Sequence, residues 1–274
     1  MLLGLTRKEL QVKYKNSVVG IGWSMLNPAF VLVVYFFVFQ VVLGNGLPGF
    51  AIYLMSGLLV WNLFAAAVPS ATGSIVGNSS IVKKVSFPRE ILALAAVGAN
   101  LLFFCYQLIV LALFLVIFRY VPTWRYVPLL VVALVTLLVF TSAVGVFFAA
   151  VNVKYRDTQH FLDIVLQAWF WATPIVYPYE QIAGKLGRHA WLYRLNPITP
   201  IVLTFQRTIY SRTDPYSTHG PIVNGHRNVI HVLPHNGIWW YGSQLLVLLG
   251  ISVVLFLGAL VVFGRLEGNF AEEL

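Results

Sequence analysis

Three observations predict an all-α, polytopic membrane fold with six transmembrane helices. Hydrophobic residues make up 59% of the 274 residues and charged residues only 10%, against roughly 45–50% and about 25% in soluble domains. The mean hydropathy is +0.82. The apolar residues are also gathered into six long runs, and a spanning helix needs about 20 mostly apolar residues, within a range of roughly 17–25. Together these exclude a soluble globular enzyme, a disordered chain and a coiled coil. Helices are the expected form, because lipid offers no partner to an unpaired backbone amide. The runs are too long for barrel strands and lack their alternation.

The chain opens with Leu2 to Gly20, where Leu2, Leu3, Leu5, Leu10 and Val12 mingle with Arg7, Lys8, Lys13 and Lys15. That mixture suits an amphipathic helix in the inner membrane interface over residues 1–22. A solvated leader also fits its imperfect stripe. Gly20 and Gly22 let the backbone turn, and Trp23 sits where an interfacial anchor belongs. Residues 23–274 then form one six-helix transmembrane domain. The first run, Trp23 to Leu43, has no small-x-small cleavage site after it and is read as a retained span. The second covers about Phe50 to Thr72, the third Ile91 to Phe118 and the fourth Val127 to Val151. The fifth, Phe161 to Tyr177, is marginal in length, and the sixth is about Gln244 to Phe263.

Charge orients these spans. The formal net charge is +9, from 18 Lys+Arg against 9 Asp+Glu. Arg7, Lys8, Lys13, Lys15, Lys83, Lys84, Arg89, Lys154, Arg156 and Arg265 fall on one side, and only Arg119 and Arg125 lie in short loops on the other. Both termini therefore face the cytoplasm. Six further basic residues lie in the segment from about 178 to 243, which is too long for the charge rule to bind it. The single cysteine, Cys105, reads as a small buried hydrophobe.

Three loops carry information. In Gly77 to Ala93, Ser79 or Ser80 can cap a short helix, and Pro88 breaks it or starts the next. Lys83, Lys84, Phe87, Pro88, Arg89 and Glu90 make a compact docking surface with an exposed ring. In Val151 to Asp163, Arg156 stands beside Asp157 as a cytoplasmic charge pair. Asp163 is either at the water boundary or turned inward to a partner such as Arg156. The outer segment 178–243 holds His189, His219, His226, His231 and His235, with Asp214 the nearest acid. Their spacing matches no familiar zinc pattern, so no metal site is assigned. Ile182 to Tyr210 reads as amphipathic and is broken by the NPITP stretch, Asn196 to Pro200. Two short helices at the outer surface are expected.

At these positions the sequence resembles a known family. RKELQVKYKNSVVGIGWSMLNP (Arg7 to Pro28), IVKKVSFPREI (Ile81 to Ile91), YRD (Tyr155 to Asp157) with TPIVYP (Thr173 to Pro178), and LNPITPIV (Leu195 to Val202) are similar, in order, to landmarks of type-2 ABC exporter permeases of the polysaccharide branch. The resemblance implies a bacterial inner-membrane homodimer with an ATPase subunit on each half. It implies export of a glycan on an isoprenoid diphosphate, of O-antigen, teichoic acid, capsule or galactan type. It implies that Ser80 to Glu90 docks on the ATPase and that the outer helices act as a gate. ATP and Mg would then sit on the partner.

The residues agree with that expectation. No G-x-x-x-x-G-K-[ST] occurs, so nucleotide chemistry needs a separate subunit. Arg89 suits a directed or fork-shaped contact, while Lys83 and Lys84 also suit lipid headgroups or a substrate diphosphate. Sugars present hydroxyls and apolar C–H faces, so polar-tipped rings are suitable liners. Trp169, Thr173 and Tyr177 share helical i, i+4, i+8 spacing, and Tyr35, Phe39 and Trp61 offer further rings. Each could equally be ordinary packing in a chain with 15% aromatic residues. The spans carry almost no internal charge, which disfavours an ion relay. A drug exporter of the same superfamily is the alternative. A membrane glycosyl- or acyltransferase using Asp214 with outer histidines is a more distant one.

Overall fold

The computed structural model describes residues 22–42, 49–84, 87–211, 232–268 and 270–273, with Gly4, Thr6, Leu47, 222–223 and 226–227. The expected interfacial helix over residues 1–22 lies almost wholly outside the described residues. Thr6 is described: its Oγ1 donates to the Ala95 carbonyl at 3.4 Å.

The described residues are built from helices. Helix α1 (Trp23–Phe36) runs on into a π-helical stretch, Phe37–Val42. Then come α2 (Phe50–Gly77), the single turn α3 (Ser79–Val82), α4 (Glu90–Ile117), α5 (Val127–Lys154) and α6 (Thr158–Trp171). Helices α7 (Tyr179–Leu186), α8 (Ala190–Tyr193) and α9 (Ile198–Ile209) precede the last long helix, α10 (Ile238–Glu267), and a closing turn, α11 (Phe270–Glu273). Among the described residues, four elements are long and apolar enough to cross a membrane: α2, α4, Trp124–Lys154 (α5 with the 3-10 turn before it) and α10. Each spans about 42 Å or more at about 1.5 Å per residue, beyond the roughly 30 Å hydrocarbon core.

Local chemistry sets the boundaries. Gly49 enters α2 at φ +69°, a conformation that favours glycine. Glu90 opens α4, Pro128 lies in the first turn of α5, and Lys154 and Arg265 close α5 and α10. Each suits the helix dipole or the missing amide at its end.

Helix α2 is the centre: Tyr53, Leu54, Val60, Phe64, Ala67, Val68 and Ala71 are fully buried. It packs on α4, α5 and α9, while α10 lies along α5. The approach of α2 to α5 is close at one point. A Cβ on Gly145 would stand 2.8 Å from the Ala71 Cβ, and nearby Asn152 donates to the Thr72 carbonyl at 3.1 Å. The outer walls stay apolar and uncovered, at Ile109, Leu113 and Val116 of α4 and Leu246, Val254 and Val261 of α10. In lipid such exposure is not penalised.

Several expectations change. The fifth run is helical for only 14 residues, about 21 Å, because Pro174 disfavours helix at and before it. The sixth starts at Ile238 and ends at Glu267, beyond the expected bounds at both ends. The outer helices do not both lie on the surface. Ile198 to Gln206 of α9 are all buried, lodged against α2 and α5. Thr204 and Thr208 donate to carbonyls one turn back at 2.8 Å, which lets a polar-looking helix enter an apolar core. Cys105 is exposed on α4 rather than buried. Ile222–Val223 pairs antiparallel with His226–Arg227. The intervening sequence Asn224-Gly225 is a strong hairpin signal.

Valine at position 145 should overpack the α2–α5 contact and cost about 1–3 kcal/mol. Thermal unfolding of the detergent-purified chain checks it. Gly145→Val is expected to lower the midpoint, Ala71→Gly in the same chain to restore part of the loss, and Gly250→Ala, with open space around it, to do nothing.

Candidate functional site

A groove of about 470 Å³ opens between α1, α2 and α6. Three helical faces form it. From α1 come Val31 and Tyr35, one turn apart. From α2 come Leu58, Trp61, Asn62 and Ala65, and from α6 come Asp163, Leu166, Gln167, Phe170 and Trp171. The i, i+3, i+4, i+7 spacing on α2 and α6 puts each set on one stripe.

The rings interlock at the groove floor. Tyr35 stacks on Phe170, with centroids 5.8 Å apart and planes within 14°. Trp61 meets Phe170 edge to face at 5.5 Å, and Phe170 meets Trp171 at 5.3 Å. Trp61 and Phe170 are nearly buried, so they form the wall, while Asp163, Gln167 and Trp171 are exposed. Asn62 is fixed by an amide hydrogen bond to Gln107 Oε1 at 3.3 Å.

The α6 wall is held in place by a clasp at its C-terminal end, where the last carbonyls all find partners. Thr173 Oγ1 donates to Trp169 O at 2.8 Å, Tyr177 donates to Trp171 O, and Asn196 Nδ2 donates to Ala172 O at 3.1 Å. Gln206 Nε2 donates to Pro174 O at 3.0 Å, and the Tyr53 hydroxyl donates to Tyr177 O at 2.8 Å. Asn196 uses its whole amide. It also donates to Thr173 Oγ1 at 3.0 Å, and its Oδ1 accepts from Trp169 Nε1 at 2.8 Å and from the Ile198 amide at 3.0 Å. Tyr193 hydrogen-bonds Tyr177. Burial, reinforced by that bond, holds the Tyr193 phenol well above its ordinary range, so it stays a neutral donor.

The sequence-predicted site residues divide accordingly. Tyr35 and Trp61 line the groove. Phe39 packs on Tyr35 and Phe50 at 6.2 Å from each. Trp169 points away from the groove, against Phe64 and Phe140 at 5.2 and 6.3 Å. Because α6 ends at Trp171, Thr173 and Tyr177 do not continue its stripe; they belong to the clasp with Asn196. Phe170, Trp171, Gln167, Asp163 and Asn62 carry a helical spacing in the sequence, but that spacing alone does not single them out as liners. Asp163 faces the groove.

At the basic end of the bundle, Lys83 and Lys84 are exposed after α3, and Glu90 is half-buried at the start of α4. Pro88 is exposed, whereas Phe87 is half-buried against the core rather than free. Arg89 donates to the Glu267 carbonyl at 2.8 Å and lies 3.6 Å from its carboxylate. This joins the start of α4 to the end of α10. Arg156 and Asp157 are both exposed, and among the described residues no salt bridge joins them; in water such a pair gains little. His219 and His231 lie outside the described residues, as does Asp214. Among the described residues no three metal-binding side chains come together.

Residues 2–210 match the family described as ABC-2 type transporter. The chain is 31% identical over 274 residues to the O-antigen export system permease protein RfbA of Myxococcus xanthus, covering 100% of this chain and 95% of the relative. It is 28% identical over 277 residues to the protein of the same name from Klebsiella pneumoniae, with the same two coverages. It is 20% identical over 199 residues to the polysialic acid transport protein KpsM of Escherichia coli, covering 71% of this chain and 75% of the relative.

Removing the Asn196 amide strands donors and carbonyls at the end of α6. Asn196→Ala is expected to cost about 1–3 kcal/mol and to loosen α6 more than the rest. Hydrogen exchange of residues 158–177 in the detergent-solubilised chain checks this, with faster exchange there than in α5 as the expected result.

Proposed function

The chain belongs to the ABC-2 type transporter family, and on that premise we propose that it is the transmembrane subunit of an ATP-driven exporter of a lipid-linked polysaccharide. The observation that carries the reading is the groove between α1, α2 and α6, with its stacked rings and polar rim. A sugar polymer has apolar C–H faces that rest on rings and hydroxyls that exchange water for side-chain partners. Ring faces fix no register, so a long polymer can slide. The full-length likeness to permeases named for O-antigen export supports the same substrate class.

The finer arrangement is part of the proposal. The four long helices, with α1 and the short α6, make six crossings of the bacterial inner membrane. Both termini are cytoplasmic, as the clustering of Lys83, Lys84, Lys154, Arg156 and Arg265 at the ends of α3, α5 and α10 supports. Residues 23–274 form the permease domain. Two copies pair, each with one ATPase subunit that binds ATP and Mg. Lys83, Lys84, Phe87, Pro88, Arg89 and Glu90 receive the closure of that ATPase, and the Arg89 contact to Glu267 passes it to α10. Helices α7 to α9, tied to the end of α6 through Asn196 and Tyr193, form the outer gate. Trp169, Thr173 and Tyr177 act as the hinge of that gate rather than as channel lining, while Tyr35 and Trp61 line the path and Phe39 supports Tyr35.

Loss of a liner should slow the polymer without unfolding the chain. In cells that depend on this permease, Trp61→Ala and Tyr35→Ala are expected to lower surface glycan about three- to tenfold, the worth of one ring contact, at unchanged membrane levels of the protein. Full surface glycan from the double variant would contradict the reading.

A further inference from the structure

We propose that the groove selects uncharged glycans and excludes polyanionic ones, with Asp163 as the selecting residue; this rests on the glycan reading above. Among the described lining residues, Asp163 supplies the one formal charge, and none is Lys, Arg or His. It stands on the same α6 stripe as Gln167 and Phe170 and is exposed. Arg156 and His160 lie toward the basic end of the bundle and are not liners. A carboxylate only accepts hydrogen bonds. Asn62 commits one amide N–H to Gln107 and offers a second N–H and its Oδ1. Gln167 and Tyr35 add donors as well as acceptors, so the carboxylate, and not the hydrogen-bond balance, distinguishes the rim.

An acceptor-only carboxylate suits a ligand rich in hydroxyl donors. Neutral sugar residues donate hydroxyls to Asp163 and lay their C–H faces on the Trp61 and Phe170 wall. A polymer of uronic or sialic acids brings a carboxylate on each residue past Asp163, with no cation among the described lining residues to pair it. Like charges repel there, and a groove with apolar walls focuses that field. The groove thus resists polyanions at every step of sliding.

The test uses the full chain in nanodiscs of phosphatidylcholine, with tryptophan fluorescence reporting occupancy beside Trp61 and Trp171. The probes are a neutral mannose oligosaccharide and an oligogalacturonate of equal length. The mannose oligomer is expected to bind at least about tenfold more tightly, with the gap narrowing at high salt. Asp163→Asn is expected to strengthen oligogalacturonate binding at least about fivefold. Equal affinity for the two probes, or a gap that Asp163→Asn leaves intact, overturns charge selection while leaving the glycan path standing. No saturable binding of either probe overturns both.

Discussion

A helix that ends inside a membrane leaves its last carbonyls without partners, and in lipid no water meets them. On the six-crossing arrangement proposed above, helix α6 faces this constraint. It stops at Trp171 after 14 residues, about 21 Å, yet it carries one whole wall of the groove. The structure meets the constraint with side chains from elsewhere in the chain. Asn196 comes from the α8–α9 connection, Gln206 from α9, Tyr53 from α2, and Thr173 and Tyr177 from the turn itself. Each hydrogen bond contributes only about 0.5–1.5 kcal/mol, but losing one partner exposes the full cost of a stranded group. The clasp therefore fixes where α6 ends, and with it the height and tilt of Asp163, Gln167, Phe170 and Trp171.

The groove depends on that placement. Tyr35 and Trp61 reach Phe170 from two other helices, and such pairs add about 0.5–1.5 kcal/mol each beyond their buried area. The same clasp binds the outer helices to the groove wall, because Asn196 and Tyr193 touch both. At the opposite end, Arg89 and Glu267 are partly exposed, with side chains 20% and 32% accessible. A pair so placed contributes about 0–1 kcal/mol, which makes it a joint able to shift rather than a lock. A motion delivered near Phe87 and Pro88 would meet α4 and α10 there.

Much of this was legible in the sequence, for reasons that differ by element. The long runs that became α2, α4, α5 and α10 were readable because lipid demands length and apolarity, and both are local properties. Lys83, Lys84, Phe87, Pro88, Arg89 and Glu90 stood out because charge and a Phe-Pro step are rare in such a chain. The ends of α10 were misplaced because Trp239, Trp240 and Arg265 dilute the apolar pattern without breaking the helix. The burial of α9 was hidden, since Thr204, Gln206 and Thr208 read as surface residues until their hydrogen bonds are seen. Trp169, Thr173 and Tyr177 have the spacing of a helical face, but Pro174 ends the helix, and a three-dimensional clasp takes the place of a stripe. The Glu267 partner of Arg89 lies 178 positions away, and no local pattern announces it.

The central claim is that polymer passes along the α1–α2–α6 groove and not along the buried face of Trp169. Photo-crosslinking amino acids placed singly at Gln167, Trp171 and Trp169, in cells actively exporting radiolabelled glycan, test it most directly. Capture of labelled glycan from positions 167 and 171, dependent on ATP turnover, with none from position 169, is the result this account predicts. Capture from position 169 alone, or from none of the three during active export, would contradict it.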